Sequence, residues 1–196
     1  MAPAETKSSR VLQGVLVGLL MASAGVNLLQ AERLWETMGP QPSPASAVGR
    51  AVPDVDGYAP DGRRVSHRMR DERPTVLYYF ASTCAWCQRN WDNLNALTAG
   101  IEGRFRILAV TGERNMAGDV AKHRIQAEVV EGVPAPILAS FGFQSAPHLV
   151  VISPEGVVSA EWFGAPTPRM ERQIEAAFDV LLPGLSPATR RPLRAQ

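Results

Sequence analysis

The two cysteines of the chain, Cys84 and Cys87, follow directly on an apolar run, residues 75–81. Such a run predicts a strand buried on both faces, and a Cys-x-x-Cys pair where a strand gives way to a helix can alternate between dithiol and disulfide while the fold stays the same. At the first turn of that helix, unpaired backbone N–H groups and the helix dipole favour the thiolate of Cys84. Cys87, one turn further on, can attack a mixed disulfide on Cys84. The pattern predicts Cys84 as the catalytic nucleophile and Cys87 as the resolving thiol.

Two other uses of a cysteine pair fit this sequence less well. A structural disulfide across three positions closes a loop too short to constrain the unfolded chain much. Structural zinc needs about four ligands, and beyond the thiols the chain offers only His67, His123 and His148, none in a paired spacing. We therefore expect no metal site, and disulfide exchange requires no diffusible cofactor.

Length and charge limit the remaining classes. A chain of 196 residues with 45% hydrophobic residues fits one globular domain with extensions. The formal net charge is +1, and the arginines within residues 68–73 alternate with acidic residues rather than forming a basic stripe. No nucleic acid partner is expected. Residues 183–196 are rich in Pro and Arg and are predicted to form a flexible tail.

The N-terminal region contains an apolar segment, residues 11–29, without a charged residue. Its 19 positions are just enough to cross a hydrocarbon core as a helix. Lys7 and Arg10 precede it, whereas residues 32–36 are net acidic, so residues 1–10 are predicted to stay in the cytoplasm. We expect a single-pass protein of the inner (cytoplasmic) membrane, anchored in the lipid bilayer, with its catalytic domain on the periplasmic or extracytoplasmic side.

A cleavable signal peptide is the alternative interpretation of the same segment. Ala22-Ser23-Ala24 resembles a small-residue cleavage site after a shorter apolar core. We favour the uncleaved anchor. In both cases the cysteines face an oxidising compartment, where a dithiol is kept reduced only if electrons are supplied. A membrane electron donor is therefore a predicted partner.

The chain after the anchor divides into a linker and one domain. Residues 30–48 are predicted to be the linker because Pro, Ser and Ala dominate residues 39–47. The domain is predicted to span residues 49–182. It begins with two short β segments joined by a turn at Asp61-Gly62.

Periodicity places the other elements of the domain. Apolar residues recur at helical spacing over 91–101 and are followed by an apolar strand at 105–110. Residues 116–129 have helical spacing, and a short helical turn is predicted near residues 138–141. The domain ends with a β-hairpin, residues 148–152 and 157–163, and with a helix that Thr167 and Pro168 begin as N-cap and first residue and that reaches Leu181.

This order of elements resembles the TlpA/ResA-type family of membrane-anchored thioredoxin-like proteins. The similarity covers roughly residues 49–182, and its most specific stretches are residues 81–87 and 146–156. It implies an α/β thioredoxin-like fold: a mixed central sheet flanked by helices, with an N-terminal β-hairpin and a central helical insertion.

The resemblance also implies a substrate-binding segment. In that family the bond corresponding to Ala146-Pro147 is cis, the proline packs against the cysteines, and the residue before it offers backbone hydrogen bonds to an extended substrate. Trp86, between the cysteines, is an apolar residue that can contact a protein substrate or pack on the domain. His148 can lie near the thiolate or point into the structure, and we do not assign it a catalytic role.

One departure from the family concerns proton transfer. Many members have a buried Glu three residues after the second cysteine and a Pro two beyond it, whereas this chain has Asn90 and Asp92. Asn90 cannot shuttle a proton, so the family's acid is absent here or replaced by water or another side chain. Asp92 is out of phase with the apolar positions of its helix and is predicted to lie on a solvated face.

Together these observations predict an exported thiol-disulfide oxidoreductase that reduces protein disulfides. The resemblance suggests apocytochrome c or the thiols of copper sites as substrates. Two alternatives remain open: a thiol oxidase or isomerase with the same site, and a non-catalytic thioredoxin-fold module that binds copper through the two thiolates.

Overall fold

The computed structural model describes residue 13, residues 15–27, residue 30 and residues 46–185. Residues 15–27 are helical (α1) and belong to a unit of their own, residues 1–43. Within the described residues, no helix has both the length and the apolar character that crossing a membrane requires. The predicted anchor is only partly covered, since residues 11, 12, 14, 28 and 29 lie outside the described part, as do residues 1–10 and 31–45.

The second unit, residues 44–196, contains a two-stranded and a five-stranded sheet. The strands are β1 (Val55–Tyr58), β2 (Arg64–His67), β3 (Thr75–Tyr79), β4 (Arg106–Val110), β5 (Glu128–Val130), β6 (His148–Ile152) and β7 (Val158–Phe163). The helices are α2 (Ala85–Arg89), α3 (Trp91–Ile101), α4 (Ala117–His123), α5 (Ala135–Ser140) and α6 (Pro168–Phe178).

Strand β3 occupies the centre of the five-stranded sheet, whose order is β5-β4-β3-β6-β7. It runs parallel to β4 and antiparallel to β6, while β5 extends the parallel side and β7 the antiparallel side. The first two strands form the predicted N-terminal hairpin, and α4 and α5 form the insertion. The predicted mixed sheet flanked by helices is therefore confirmed.

The sheet separates two hydrophobic cores because strand side chains alternate between its faces. On one face Val76 and Tyr78 pack with Cys87, α3 and α6. On the other face Leu77 packs with β1, α5 and Phe143. Both faces of β3 are buried, which explains why its sequence is apolar at nearly every position.

The helix predicted over residues 116–129 is wrong in its second half. Helix α4 ends at His123, because Arg124 adopts the left-handed conformation with φ 49°. Residues 128–130 then pair in parallel with β4 as an edge strand. The helical spacing up to Ile125 did not reveal this strand, because three residues are too few to show a period.

The packed part of the second unit includes residues that the sequence places in the linker. Ala47 is fully buried, and its N–H donates to Glu161 Oε2 at 3.3 Å. At Gly49, the first residue of the predicted domain, the N–H donates to the carbonyl oxygen of Val158 at 2.8 Å. At the other end, the described residues stop at 185, so most of the predicted tail 183–196 lies outside them.

Gly57 is required where the hairpin meets the main sheet. A Cβ at this position would lie 2.6 Å from Val130 Cγ1 and 2.7 Å from the carbonyl oxygen of Glu131, which is backbone and cannot turn aside. We expect Gly57→Ala to lower the free energy of unfolding by about 1–3 kcal/mol. Urea denaturation measures this change.

Gly118 of α4 provides the matched control. A Cβ there would meet nothing within 4 Å, so Gly118→Ala should leave stability unchanged or raise it by up to about 1 kcal/mol. Equal effects of the two substitutions would contradict the role assigned to Gly57.

Candidate active site

Cys84 and Cys87 form a disulfide at the start of α2, with their Cα atoms 5.2 Å apart. Cys84 is the N-cap residue in extended conformation, and the N–H of Cys87 donates to Cys84 Sγ at 3.1 Å. Cys84 is partly exposed, whereas Cys87 is fully buried. An incoming disulfide can thus reach Cys84 but not Cys87.

The local geometry favours negative charge on Cys84 once the pair is reduced. A sulfur at an N-cap accepts a hydrogen bond from a backbone N–H that would otherwise lack a partner, and this stabilises the thiolate relative to the thiol. The first turn of α2 carries no acidic residue that would oppose that charge.

The Ala146-Pro147 segment lies beside the cysteines. Its peptide bond is cis, as the family resemblance implies, and the carbonyl oxygen of Ala146 lies 3.4 Å from Cys84 Sγ. The antiparallel register of β3 and β6, with Tyr79 opposite His148, places the chain leaving β3 next to the chain entering β6. Residues 62 positions apart in sequence therefore meet at this site.

Trp86 is partly exposed next to the nucleophile, with a relative exposure of 43%. The guanidinium of Arg89 lies 4.9 Å from the centre of its ring, a cation–π arrangement. Trp86 therefore offers an apolar surface with a cation at one side. Its part in binding a substrate stays a prediction.

Glu113 supports the loop that carries the cysteines, and the sequence analysis did not identify it. Both oxygens of its carboxylate accept from the N–H of Ser82, at 3.1 and 3.2 Å. Gln88 Nε2 donates to the carbonyl oxygen of the same serine at 3.0 Å. Because β3 and β4 are parallel, the loops that follow them lie at the same edge of the sheet, and this topology is the signal that could have pointed to Glu113.

Asn90 is buried at the junction of α2 and α3. Its Nδ2 donates to the hydroxyl oxygen of Tyr78 at 3.1 Å, and its Oδ1 accepts from Asn93 Nδ2 at 2.9 Å. Burial raises the pKa of Tyr78 well above its ordinary value, so the phenol stays protonated. Asp92 is exposed on α3, as its helical phase predicts, and does not occupy this buried position.

His148 follows Pro147 but packs on the Phe143 side of the sheet. Its ring stands edge-on between Phe143 and Phe163, with centroids at 5.2 and 5.3 Å. Burial lowers its pKa from the ordinary value of 6.5, and Glu161, whose Oε2 lies 3.5 Å from Nε2, opposes this effect. The imidazole is a buried structural group rather than part of the redox site.

Across the residues that the structure describes, no group of three or more His, Cys, Asp or Glu side chains is arranged to hold a metal ion. Cys84 and Cys87 are the two cysteine thiols of the chain.

Comparison with known proteins shows the fold. No family model and no curated protein matches the chain. The thioredoxin domain of a thiol-disulfide oxidoreductase from Bacteroides vulgatus superposes with a TM-score of 0.58 at 18% identity, over 68% of this chain and 99% of that one. A thiol:disulfide interchange protein of the thioredoxin family from Chlorobium tepidum gives 0.54 at 18% identity, with the same two coverages. The chain has a thioredoxin-like fold.

A protein named for a different activity also has a similar fold. A peroxiredoxin-like protein from Aquifex aeolicus superposes with a TM-score of 0.55 at 15% identity, over 67% of this chain and 86% of that one. A thioredoxin-like fold is therefore compatible with more than one thiol chemistry, and the activity has to be argued from the site itself.

We expect His148 to make stability depend on pH. Because its pKa is lower in the folded than in the unfolded state, the unfolded chain binds more protons as the pH falls below 6.5, and the contribution of the neutral ring is then lost. His148→Gln, which does not titrate, should cost about 1–2 kcal/mol at pH 8 and less at pH 5.5.

Urea denaturation of both proteins at the two pH values measures this difference. His67 and His123, whose pKa values burial also lowers, are present in both proteins and cancel in the comparison. If His148→Gln lowered the free energy of unfolding equally at pH 8 and pH 5.5, the expected role of His148 would be wrong.

Proposed function

We propose that the chain is a thiol-disulfide oxidoreductase that reduces disulfides of protein substrates. The observation that supports this most directly is the asymmetry of the pair: Cys84 is accessible and caps a helix, while Cys87 is buried one turn behind it. The position of the cis Pro147 segment against Cys84 and the names of two structural neighbours agree with the proposal.

The reaction proceeds in two exchanges. The Cys84 thiolate attacks one sulfur of a substrate disulfide, so that a mixed disulfide forms and the other substrate sulfur leaves as a thiolate. The Cys87 thiolate then attacks Cys84 Sγ, the Cys84–Cys87 bond forms, and the second substrate thiolate leaves. Two electrons have passed to the substrate, and each of its thiolates takes up a proton.

Substrate contact is assigned to three residues around Cys84. In this proposal the backbone of Ala146 pairs with an extended chain, Pro147 contacts the substrate beside it, and Trp86 supplies an apolar surface that is covered on binding; the 3.4 Å distance from the Ala146 carbonyl oxygen to Cys84 Sγ and the exposure of Trp86 support it. A substrate held along this segment has its sulfur close to Cys84 rather than to the buried Cys87.

The proposal includes export and a membrane anchor. It rests on the uncharged segment 11–29 and on the change from basic to acidic residues across it. A cleaved signal peptide would give the same compartment without the anchor. Protease treatment of intact cells tests this part. Digestion of the domain once the outer membrane is permeabilised, while the inner membrane stays closed, supports export.

In the exported compartment the oxidised pair needs an electron donor to be used again, which we propose to be a membrane reductase. Apocytochrome c and copper-site thiols are the substrate classes that the family resemblance suggests. No residue described above selects between them.

Cys87→Ser should stop the reaction after the first exchange. Because the serine cannot resolve the mixed disulfide, substrate proteins should accumulate on Cys84 and separate from it only on reduction, as seen on non-reducing gels. Cys84→Ser is the matched control and should trap nothing, since Cys87 is buried. Equal trapping by both variants, or by neither, would argue against the assigned roles.

The reduction potential of the Cys84/Cys87 pair decides the direction of electron flow. A value near about −270 mV, as in thioredoxin, is expected for a reductase, whereas about −120 mV would indicate an oxidase that donates its disulfide. Copper bound stoichiometrically to the dithiol, without turnover of disulfides, would instead favour a copper-binding module.

A further inference from the structure

The surface of α2 beside Cys84 combines an apolar ring with a cation. Thr83, Ala85 and Trp86 are exposed there, and the first turn of the helix carries no acidic residue. Arg89 is the charged residue of α2. It follows Trp86 by three positions, so the two side chains lie on the same face of the helix. A protein that brings its disulfide to Cys84 therefore meets both of them.

The other backbone segments that frame Cys84 bring no charged side chain to this surface. The carbonyl oxygen of Ala146 lies 3.4 Å from Cys84 Sγ. Gly164, after β7, donates its N–H to the carbonyl oxygen of Pro147 at 2.9 Å. The cysteine loop and these two segments contain no Asp, Glu, Lys, Arg or His over residues 81–88, 142–147 and 163–167.

The loop after β4 contributes two opposite charges, and both have partners elsewhere. Both carboxylate oxygens of Glu113 accept from the N–H of Ser82. The guanidinium of Arg114 lies 3.5 Å from the centre of the Tyr58 ring, and its Nε lies 3.5 Å from Glu131 Oε1. Glu113 thus serves the backbone of the cysteine loop, and Arg114 serves the N-terminal hairpin.

The guanidinium of Arg89 lies over the ring of Trp86, with its central carbon 4.9 Å from the ring centre. A guanidinium held in this way presents its N–H donors in its own plane, where two of them can bind one carboxylate. Because it has five donors, it can bind a carboxylate while it keeps its other contacts. Trp86 therefore orients the cation before a substrate arrives, which reduces the entropy lost on binding.

Asp92 limits how far the charge of Arg89 acts. It lies in the first turn of α3, three positions after Arg89, and is exposed. Two opposite charges so close in sequence largely cancel at long range, and salt screens what is left. A preference for acidic substrates must then come from direct contact with the guanidinium, so the shape of the cation matters as well as its charge.

We propose that Arg89, held over Trp86, binds an acidic side chain next to the substrate cysteine, so that the preferred substrates are proteins whose disulfides are flanked by Asp or Glu. The contact forms in the first exchange, in which the Cys84 thiolate bonds to one substrate sulfur, the substrate disulfide breaks, and its other sulfur leaves as a thiolate. This inference names the substrate class of the redox site and rests on the proposed oxidoreductase function.

Three peptides test the proposal. Each has a central cysteine in a disulfide with 5-thio-2-nitrobenzoate, and both neighbours of the cysteine are Glu, Gln or Lys. Attack of Cys84 on the peptide sulfur releases the yellow thiolate, and the second-order rate constant is measured with the reduced full chain at low salt. Arg89→Gln should slow the reaction with the Glu peptide about three- to fivefold and leave that with the Gln peptide nearly unchanged. Intrinsic differences between the peptides are the same for both proteins and cancel.

Two further variants separate contact from charge. Arg89→Lys keeps the charge but lacks the planar fork of donors, and it should lose most of the preference for the Glu peptide. Arg63, exposed in the turn of the N-terminal hairpin beside Asp61, allows the same charge change away from α2. Arg63→Gln should react with all three peptides as the native protein does.

An equal ratio of the Glu and Gln rate constants in the native protein and in Arg89→Gln would overturn the inference. Equal slowing of all three peptides, which indicates a disturbed α2, or a native preference for the Lys peptide would also overturn it. Failure of the proposed function has a different signature, which mass spectrometry detects: every peptide would stay attached to Cys84, whatever its flanking residues, because Cys87 does not resolve the mixed disulfide.

Discussion

The antiparallel pairing of β3 with β6 is the interaction on which the site depends. With Tyr79 opposite His148, the segment that follows β3 and the segment that precedes β6 emerge side by side at one edge of the sheet. This register brings the carbonyl oxygen of Ala146 to Cys84 Sγ. A shift by one residue would reverse the faces of every side chain on β6 and remove that contact.

The parallel pairing of β3 with β4 supports the cysteine loop at the same edge of the sheet. It places the loop after β4 next to the cysteine loop, where the Glu113 carboxylate accepts from the N–H of Ser82. Helix α2 then begins with Cys84 as its cap. Cys84 therefore contacts the backbone of Ala146 and of Cys87, and the Glu113 carboxylate holds its loop, so its position does not rely on the disulfide alone.

Along β6, successive side chains point to opposite faces of the sheet, so neighbouring residues join different cores. Leu149 joins the core that contains Cys87, whereas His148, its neighbour in sequence, packs with Phe143 and Phe163 and approaches Glu161. The same Glu161 accepts from the N–H of Ala47 and so holds the start of the packed unit. A histidine next to Pro147 thus stabilises the opposite face of the sheet.

Local sequence predicted most of the elements and identified the cysteine pair. The continuous apolar run of β3, the helical period of residues 91–101 and the Thr167-Pro168 start of α6 are short-range signals, and the Cys-x-x-Cys spacing is sufficient to name Cys84 and Cys87. The edge strand β5 was missed because three residues carry no period, and the cis Pro147 segment was expected only from the family resemblance. Tertiary structure alone decided that Glu113 supports the cysteine loop and that Glu171 reaches Asn90 through Asn93. These contacts join residues about 30 to 80 positions apart, and sheet register and helix packing, which no local pattern encodes, bring them together.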